Sequence, residues 1–203
     1  MGAIYFPSCN FTKASPKAAR RLRSYLKEKM PVAGCCRVDN TPYPAGDKAL
    51  YFCQACRETL EQKPGNQLIP ENLFVWLLEQ ADFPWPDYRG LTVNVQDCWR
   101  DRRHPEVFDA ARGSLAKMGV KVLELEENRE KSVFCGNLHF EPQTPENAAL
   151  AASRPGVPLY EFPQEEQKRL MAEQAAKLTA PLAATYCNRC TSGLLLRSEE
   201  HTS

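Results

Sequence analysis

Cysteine is the residue type in this 203-residue chain whose number and spacing could support chemistry. There are nine cysteines, and two pairs have the spacing Cys-x-x-Cys: Cys53 with Cys56, and Cys187 with Cys190. Each pair follows an apolar, β-rich run and precedes helix-forming residues, which places both thiols near a helix amino terminus, where the dipole favours thiolate. Thiols in that position suit metal binding or redox chemistry.

The nine cysteines form two sets with the same order along the chain. In each set a single cysteine comes first, a cysteine turn follows, and a Cys-x-x-Cys pair closes the set. The first set is Cys9, Cys35, Cys36, Cys53 and Cys56, and the second set is Cys98, Cys135, Cys187 and Cys190. The odd total argues against complete pairing in disulfides.

Short apolar segments precede the cysteines that open and close each set, and helix-forming segments follow them. The predicted strands cover residues 3–6, 49–52, 91–95, 120–125 and 182–186, and the predicted helices cover residues 16–29, 70–81, 105–118 and 163–177. This order predicts an α/β fold made of two pseudo-repeated strand–Cys–helix units with short parallel sheets.

The predicted organisation along the chain has four parts. Residues 1–65 form a first cysteine-rich half, residues 66–90 a helix and a Pro-rich linker, and residues 91–196 a second cysteine-rich half. Residues 197–203 read Arg-Ser-Glu-Glu-His-Thr-Ser, which the start of a common short-read sequencing adapter would encode, so we exclude them from fold reasoning. We expect the natural chain to continue beyond Leu196 in another sequence.

Charge and hydropathy exclude several classes of function. Lys and Arg total 26 against 25 Asp and Glu, and a net charge of +1 argues against nucleic acid or a membrane surface as partner. The amino terminus lacks the basic stretch and apolar run of a signal peptide, and no apolar segment approaches the ~20 residues that span a bilayer. We therefore expect a cytoplasmic protein without a membrane span, whose thiols stay reduced.

The order of the cysteines resembles the Cys-Cys-Gly domain family, in which a cysteine, a distant Cys-Cys-Gly and a closing Cys-x-x-Cys usually occur in two copies. The family includes the catalytic subunits of heterodisulfide reductases and related iron–sulfur subunits of glycolate oxidation and lactate utilisation. The resemblance covers residues 1–196 and implies a redox function, either electron transfer or reduction of a thiol–disulfide substrate. It also implies partner subunits of the flavoprotein or ferredoxin-like kind.

The same resemblance implies a four-iron, 4Fe–4S type cluster on the first set, and a second cluster or zinc on the second set. Two departures from the family pattern concern the cysteine turns. Arg37 stands where the family has glycine after its cysteine pair, and Phe134-Cys135-Gly136 keeps the glycine but has one cysteine fewer. Four thiolates suit either a cubane cluster or tetrahedral zinc, so both remain open for the second set.

Two other functions compete with an iron–sulfur redox protein. One is a zinc-stabilised binding protein without catalysis. The other is thioredoxin-like exchange by one Cys-x-x-Cys pair, which leaves most of the other cysteines unexplained.

Basic and histidine side chains near the cysteines are secondary candidates. Arginines could lower thiol pKa values, offset cluster charge or bind an anionic substrate, although such runs are more often solvated surface. They are Arg20, Arg21 and Arg23 after Cys9, and Arg100, Arg102 and Arg103 after Cys98. His104 and His139 are possible ligands, but capping or surface roles are commoner for such histidines.

Overall fold

The computed structural model describes residues 2–136, 152–154, 157–158 and 163–195. The chain divides into two compact units, Met1–Pro84 and Trp85–Ser203, and each contains a parallel sheet of three strands. The predicted α/β class with short parallel sheets is thus confirmed. Residues 197–203 lie outside the described residues, so the adapter interpretation of the tail stays a prediction.

The first unit has a sheet in the order β1-β2-β3 with helices between and after the strands. Its strands are β1 (Ala3–Phe6), β2 (Lys48–Tyr51) and β3 (Ile69–Asn72). Its helices are α1 (Cys9–Ala14), α2 (Pro16–Leu26), α3 (Gln54–Gln62) and α4 (Leu73–Leu78). On the other side of β1, Tyr5 forms a parallel bridge with Val32, so the chain lies beside β1 just before it reaches the cysteine turn.

Local sequence explains where the first helices begin. The side chain of Ser8 accepts a hydrogen bond from the backbone N–H of Phe11 at 3.2 Å, which caps α1 directly before Cys9. Pro16 occupies the first turn of α2, where its missing N–H costs nothing and its fixed φ suits a helix. The chain therefore turns from β1 into a helix at the first cysteine.

The segment that starts at Pro70 differs from its prediction as a helix over residues 70–81. Ile69–Asn72 pairs in parallel with β2, and the helix spans only Leu73–Leu78. Proline is tolerated here because β3 is the last strand in the order of its sheet. Along the outer edge of such a strand no backbone N–H is needed as a hydrogen-bond donor. Asn72 then caps α4 by accepting the N–H of Phe74 at 2.9 Å, so the helix signal begins after the strand.

The second unit places its sheet in the order β5-β4-β8, with a separate antiparallel pair of strands, β6 with β7. The strands are β4 (Thr92–Gln96), β5 (Lys121–Leu123), β6 (Ala152–Arg154), β7 (Val157–Pro158) and β8 (Leu182–Thr185). The helices are α5 (Pro105–Lys117), α6 (Gln164–Ala176) and α7 (Asn188–Leu195). No helix in the described part of the chain is long and apolar enough to cross a membrane.

The two units repeat one arrangement of strands. The bridge at Val32 lies beside β1 as β5 lies beside β4, and β2 on the opposite side corresponds to β8. The units differ at the next position, which β3 fills in the first unit and no described strand fills in the second. Accordingly Ala49 of β2 is fully buried, whereas Ala183 at the corresponding place in β8 is exposed.

Candidate metal centre

The second cysteine set comes together because two of its strands are parallel neighbours. Cys98 lies two residues after β4 and Cys187 two residues after β8, and the carboxyl ends of neighbouring parallel strands meet at one edge of a sheet. Helix α7 begins directly after Cys187, so Cys190 follows within its first turn. Topology alone therefore brings three of the four thiols to one place.

The four thiols of Cys98, Cys135, Cys187 and Cys190 form a compact group. Their Sγ atoms all lie within 4.8 Å of one another, and all four residues are buried. None is in a disulfide, so each sulfur is available as a ligand. The group could hold a metal ion, since Cys₄ is a donor set that zinc and iron–sulfur centres both accept.

Two glycines let the turn that carries Cys135 approach α7. A Cβ atom added to Gly136 would lie 2.4 Å from the carbonyl oxygen of Arg189 and 3.0 Å from the Cα of Cys190. A Cβ on Gly193 would lie 2.5 Å from the Cα of Gly136. Backbone thus packs against backbone here, and this contact sets the position of Cys135 relative to the Cys-x-x-Cys pair.

A buried carboxylate supports the first ligand of this set. The side chain of Asp97 is fully buried and receives two hydrogen bonds from the Arg112 guanidinium, at 3.0 and 2.8 Å. The hydroxyl of Tyr186 donates to Asp97 Oδ1 at 3.2 Å and accepts the backbone N–H of Cys98 at 3.0 Å. Each of these hydrogen bonds fixes a residue adjacent to a cysteine ligand, as outer partners do around metal ligands.

The Cys135 turn is tied to the Cys98 turn by further hydrogen bonds. Ser132 donates from its hydroxyl to the carbonyl of Asp97 at 2.9 Å, and the N–H of Trp99 donates to the carbonyl of Phe134 at 3.1 Å. The guanidinium of Arg102 reaches the carbonyl of Ser132 at 2.9 Å. Arg102 is therefore a structural residue rather than solvated surface.

The thiols influence one another's ionisation. Hydrogen bonds from Cys135, Cys190 and Cys98 hold the pKa of Cys187 well below its usual value. Burial, with the neighbouring thiols, raises the pKa of both Cys98 and Cys190. Without metal, the group therefore stabilises a thiolate at Cys187 by donation from its neighbours, which is the ionised form that a metal ion requires.

The first cysteine set is arranged differently, as linked pairs with one open side. The thiols of Cys53 and Cys56 are 3.5 Å apart at the start of α3, and Cys36 hydrogen-bonds with Cys56. Cys35 hydrogen-bonds with Cys9. Cys36, Cys53 and Cys56 are buried, whereas Cys35 is half-buried and Cys9 is exposed. Among the described residues, these thiols do not form a group as mutually close as the second set.

The pKa values of the two hydrogen-bonded thiols Cys36 and Cys56 shift in opposite directions. Donation from Cys56 lowers the pKa of Cys36 to about 6, against an ordinary value of 9.0. Hydrogen bonds with Cys36 and Cys53 raise the pKa of Cys56. One thiolate shared with neutral neighbours is again the form expected of a ligand set without its metal.

The turn in the first set also lacks the glycine contact of the second. Arg37, which follows Cys36 as Gly136 follows Cys135, is exposed. The turn is closed instead by Asp39, whose carboxylate accepts the N–H of Thr41 at 2.9 Å and whose own N–H donates to the carbonyl of Cys35 at 2.8 Å.

The one histidine candidate that the structure describes, His104, is not part of the group of four thiols. His104 occupies the N-cap position of α5, and its Nδ1 lies 3.1 Å from a carboxylate oxygen of Glu106. His139 lies outside the described residues. Among the described residues, the candidate metal site is therefore built from cysteines.

Sequence reasoning missed Asp97, Tyr186 and the contact of Gly136 with Gly193. A local signal was present, since Asp97 directly precedes Cys98 and Tyr186 directly precedes Cys187. The corresponding residues of the first unit are Ser8 and Phe52, which cannot form the same hydrogen-bonded pair. Aligning the two units on their cysteines would have shown that only the second unit has a carboxylate and a hydroxyl at these two positions.

Comparisons with known proteins add no identity: no family model, no curated protein and no solved structure matches the chain.

Proposed function

We propose that this chain is an iron–sulfur redox protein of the heterodisulfide-reductase type, with a redox cluster on the first cysteine set and a metal centre on the second. The observation that carries the proposal is the group of four buried thiols within 4.8 Å of one another, in a unit whose topology repeats that of the first. A strand–cysteine–helix plan used twice, with all nine cysteines near strand ends or turns, is the plan of a metalloprotein.

The second set fits a bound metal on the chemistry of its donors. The four buried thiols are not paired in disulfides, they hydrogen-bond with one another, and Cys187 favours the thiolate form. Four sulfurs at ~2.3 Å from a single zinc ion lie roughly 3.8 Å apart, which agrees with a group within 4.8 Å. The ion would be held by Cys98, Cys135, Cys187 and Cys190, and it would stabilise the fold of this unit.

The first set supports the redox role because it has a surplus thiol and an open side. Five cysteines exceed the four that tetrahedral zinc requires, and Cys9 with Cys35 lies at the accessible edge. An iron–sulfur cluster bound there would supply one-electron chemistry. Within the chain, Cys36, Cys53 and Cys56 would hold it from the buried side, while α1 and the Cys35 turn would control access of a partner or a thiol–disulfide substrate.

The test is anaerobic purification followed by measurement of iron, zinc and acid-labile sulfide. We expect visible iron–sulfur absorption that bleaches with a low-potential reductant, together with a metal at the second set. Two matched variants assign each signal: Cys53→Ser should remove the redox absorption, and Cys187→Ser should remove the metal of the second unit. A colourless protein that takes up no electrons after anaerobic reconstitution with iron and sulfide would refute the redox function.

The second candidate function is a zinc-stabilised binding protein, and one observation favours it. A four-iron cluster places its ligand sulfurs roughly 6 Å apart around a core of iron and sulfide. That is wider than the spacing of the second set and wider than the 3.5 Å between the thiols of Cys53 and Cys56 in the first set. This candidate predicts zinc at the second set, no acid-labile sulfide anywhere, and unchanged zinc content in Cys53→Ser.

A further inference from the structure

Positive charge is concentrated in one short part of the chain. Between Asn10 and Met30 there are seven cationic residues and one anion, Glu28, whereas the rest of the chain carries nineteen cations and twenty-four anions. This part corresponds to α1, α2 and the residues that follow them. The net charge of +1 therefore conceals a basic surface on an otherwise acidic protein.

Six of these cations form the surface that we call the α1–α2 basic face. They are Lys13, Lys17, Arg20, Arg21, Arg23 and Lys27. All six are exposed, and in the described part of the chain none of them forms an ion pair. The seventh cation, Lys29, differs because its amine pairs with Asp82 at 2.6 Å. Exposed cations without internal partners leave their field directed at solvent, where it can act on another molecule.

The basic face lies next to the accessible side of the first cysteine set. Cys9 is the first residue of α1, and Lys13 follows it by one helical turn, so the two share a side of that helix. Cys9 in turn hydrogen-bonds with Cys35, and both are the less buried members of the set. Arg37 is exposed beside Cys36 and adds a further cation at this edge. Positive charge therefore lies beside the exposed and half-buried members of the first cysteine set.

We propose that the α1–α2 basic face docks a small acidic electron-carrier protein for electron exchange with the first cysteine set. This inference rests on the proposed redox function and adds the surface that binds the partner and the acidic charge that the partner must carry. In the exchange, one electron leaves the reduced carrier, which is oxidised, and reduces the centre held by the first set. No bond forms or breaks, so a loosely bound, charge-steered complex is sufficient.

An acidic protein fits this face better than a polyanion does. Helix α2 has 11 residues and is therefore roughly 16 Å long, so the basic face is a short patch of the kind that a small protein can cover. A nucleic acid extends beyond such a patch and would meet the acidic remainder of the surface, where its phosphates are repelled.

The test measures binding and electron transfer with an acidic ferredoxin and an acidic flavodoxin as probes. The variant Arg20→Glu/Arg21→Glu reverses two charges on the basic face. The matched control, Lys117→Glu/Lys121→Glu, makes the same charge change at two exposed positions of the second unit. Calorimetry gives the dissociation constant of each probe protein from this chain, whether or not the chain holds a cluster. Stopped-flow absorbance gives the rate of electron exchange between each probe and the anaerobic protein.

We expect the basic-face variant to lose about tenfold or more in association rate at low ionic strength, with the difference shrinking as salt screens the charges. The control should stay close to wild type. Equal losses in both variants, no loss in either, or tighter binding of single-stranded DNA or anionic lipid vesicles than of the acidic proteins would overturn the proposal.

Reduction by dithionite, which needs no docking surface, separates this inference from the proposed function. If dithionite reduces the protein but carrier binding does not depend on Arg20 and Arg21, the docking face is wrong and the redox function stands. If dithionite reduces neither the purified nor the reconstituted protein, the redox function is wrong, and electron exchange through this face is wrong with it.

Discussion

Replacing Gly136 with alanine tests whether the close approach of the Cys135 turn to α7 forms the metal centre. The added Cβ would lie 2.4 Å from the carbonyl oxygen of Arg189, 2.9 Å from the Cα of Gly193 and 3.0 Å from the Cα of Cys190. All three atoms are backbone, so no flexible side chain can rotate away. The turn must retreat from α7, and Cys135 must move with it.

The size of the effect follows from these distances. A carbon–oxygen contact of roughly 3.3 Å or more is ordinary, so the turn must move by about 1 Å. Overpacking of this kind costs ~1–3 kcal/mol, which corresponds to a loss of roughly 5- to 150-fold in the equilibrium constant for metal binding or folding. In a chain of this length the midpoint of thermal unfolding should fall by about 2–12 °C. Metal–sulfur bonds tolerate only ~0.2 Å, so metal affinity should suffer with stability.

The assay is a competition titration of the bound metal against a chromophoric chelator, with thermal melts of the same samples. Arg37→Ala is the matched control, because Arg37 holds the corresponding place in the first unit and its side chain is exposed. We expect Gly136→Ala to weaken metal binding at the second set and Arg37→Ala to leave it unchanged. A Gly136→Ala protein with the affinity and melting midpoint of wild type would refute the reasoning.

Three more predictions concern individual cysteines and the buried carboxylate. Cys187→Ala should lower thermal stability more than Cys36→Ala, because it removes one of only four buried ligands. Circular dichroism melts of the two variants check this, and a larger loss of stability in Cys36→Ala would contradict it. Arg112→Met should cost about 3 kcal/mol in denaturant unfolding, because it leaves the fully buried Asp97 carboxylate without its cation. Adding Asp97→Asn should recover part of that loss, and a double variant no more stable than the single one would count against the ion pair. In metal-free protein the pKa of Cys36 is lowered to about 6, so its stabilising contribution is fully present above pH 9.0 and is lost as pH falls through about 6. The difference in unfolding free energy between wild type and Cys36→Ser should shrink over that range, and a constant difference would show that the thiol is not ionised.

Much of the fold could be predicted because its signals are local. The apolar segments before Cys9, Cys53, Cys98 and Cys187 became strands β1, β2, β4 and β8, each within one residue of the predicted limits. Parallel pairing then follows from the helices between successive strands, since a parallel neighbour requires a crossover. Strand ends, helix starts and cysteine positions are features of a few adjacent residues, which a sequence displays directly.

The errors occur where a distant partner decides the structure. Pro70 has the sequence signature of a helix start, but pairing with β2 holds Ile69–Asn72 as a strand. The short apolar run after Asn72 forms the helix by itself. Tertiary pairing overrides local preference here, and nothing in the segment itself records the presence of β2.

The candidate site shows the same division between cysteines and the residues that hold them. The cysteines were visible from spacing, but the hydrogen bonds of Asp97 join residues that are far apart in sequence, such as Tyr186. In the first unit Phe52 replaces that tyrosine and stacks on Phe11 at 4.3 Å, so its cysteines lack an equivalent hydroxyl partner. A compact, buried set of four thiols and another set with exposed and half-buried members thus arise from one repeated fold. The difference supports the proposal that the second unit binds a stabilising metal and the first unit exchanges electrons with partners.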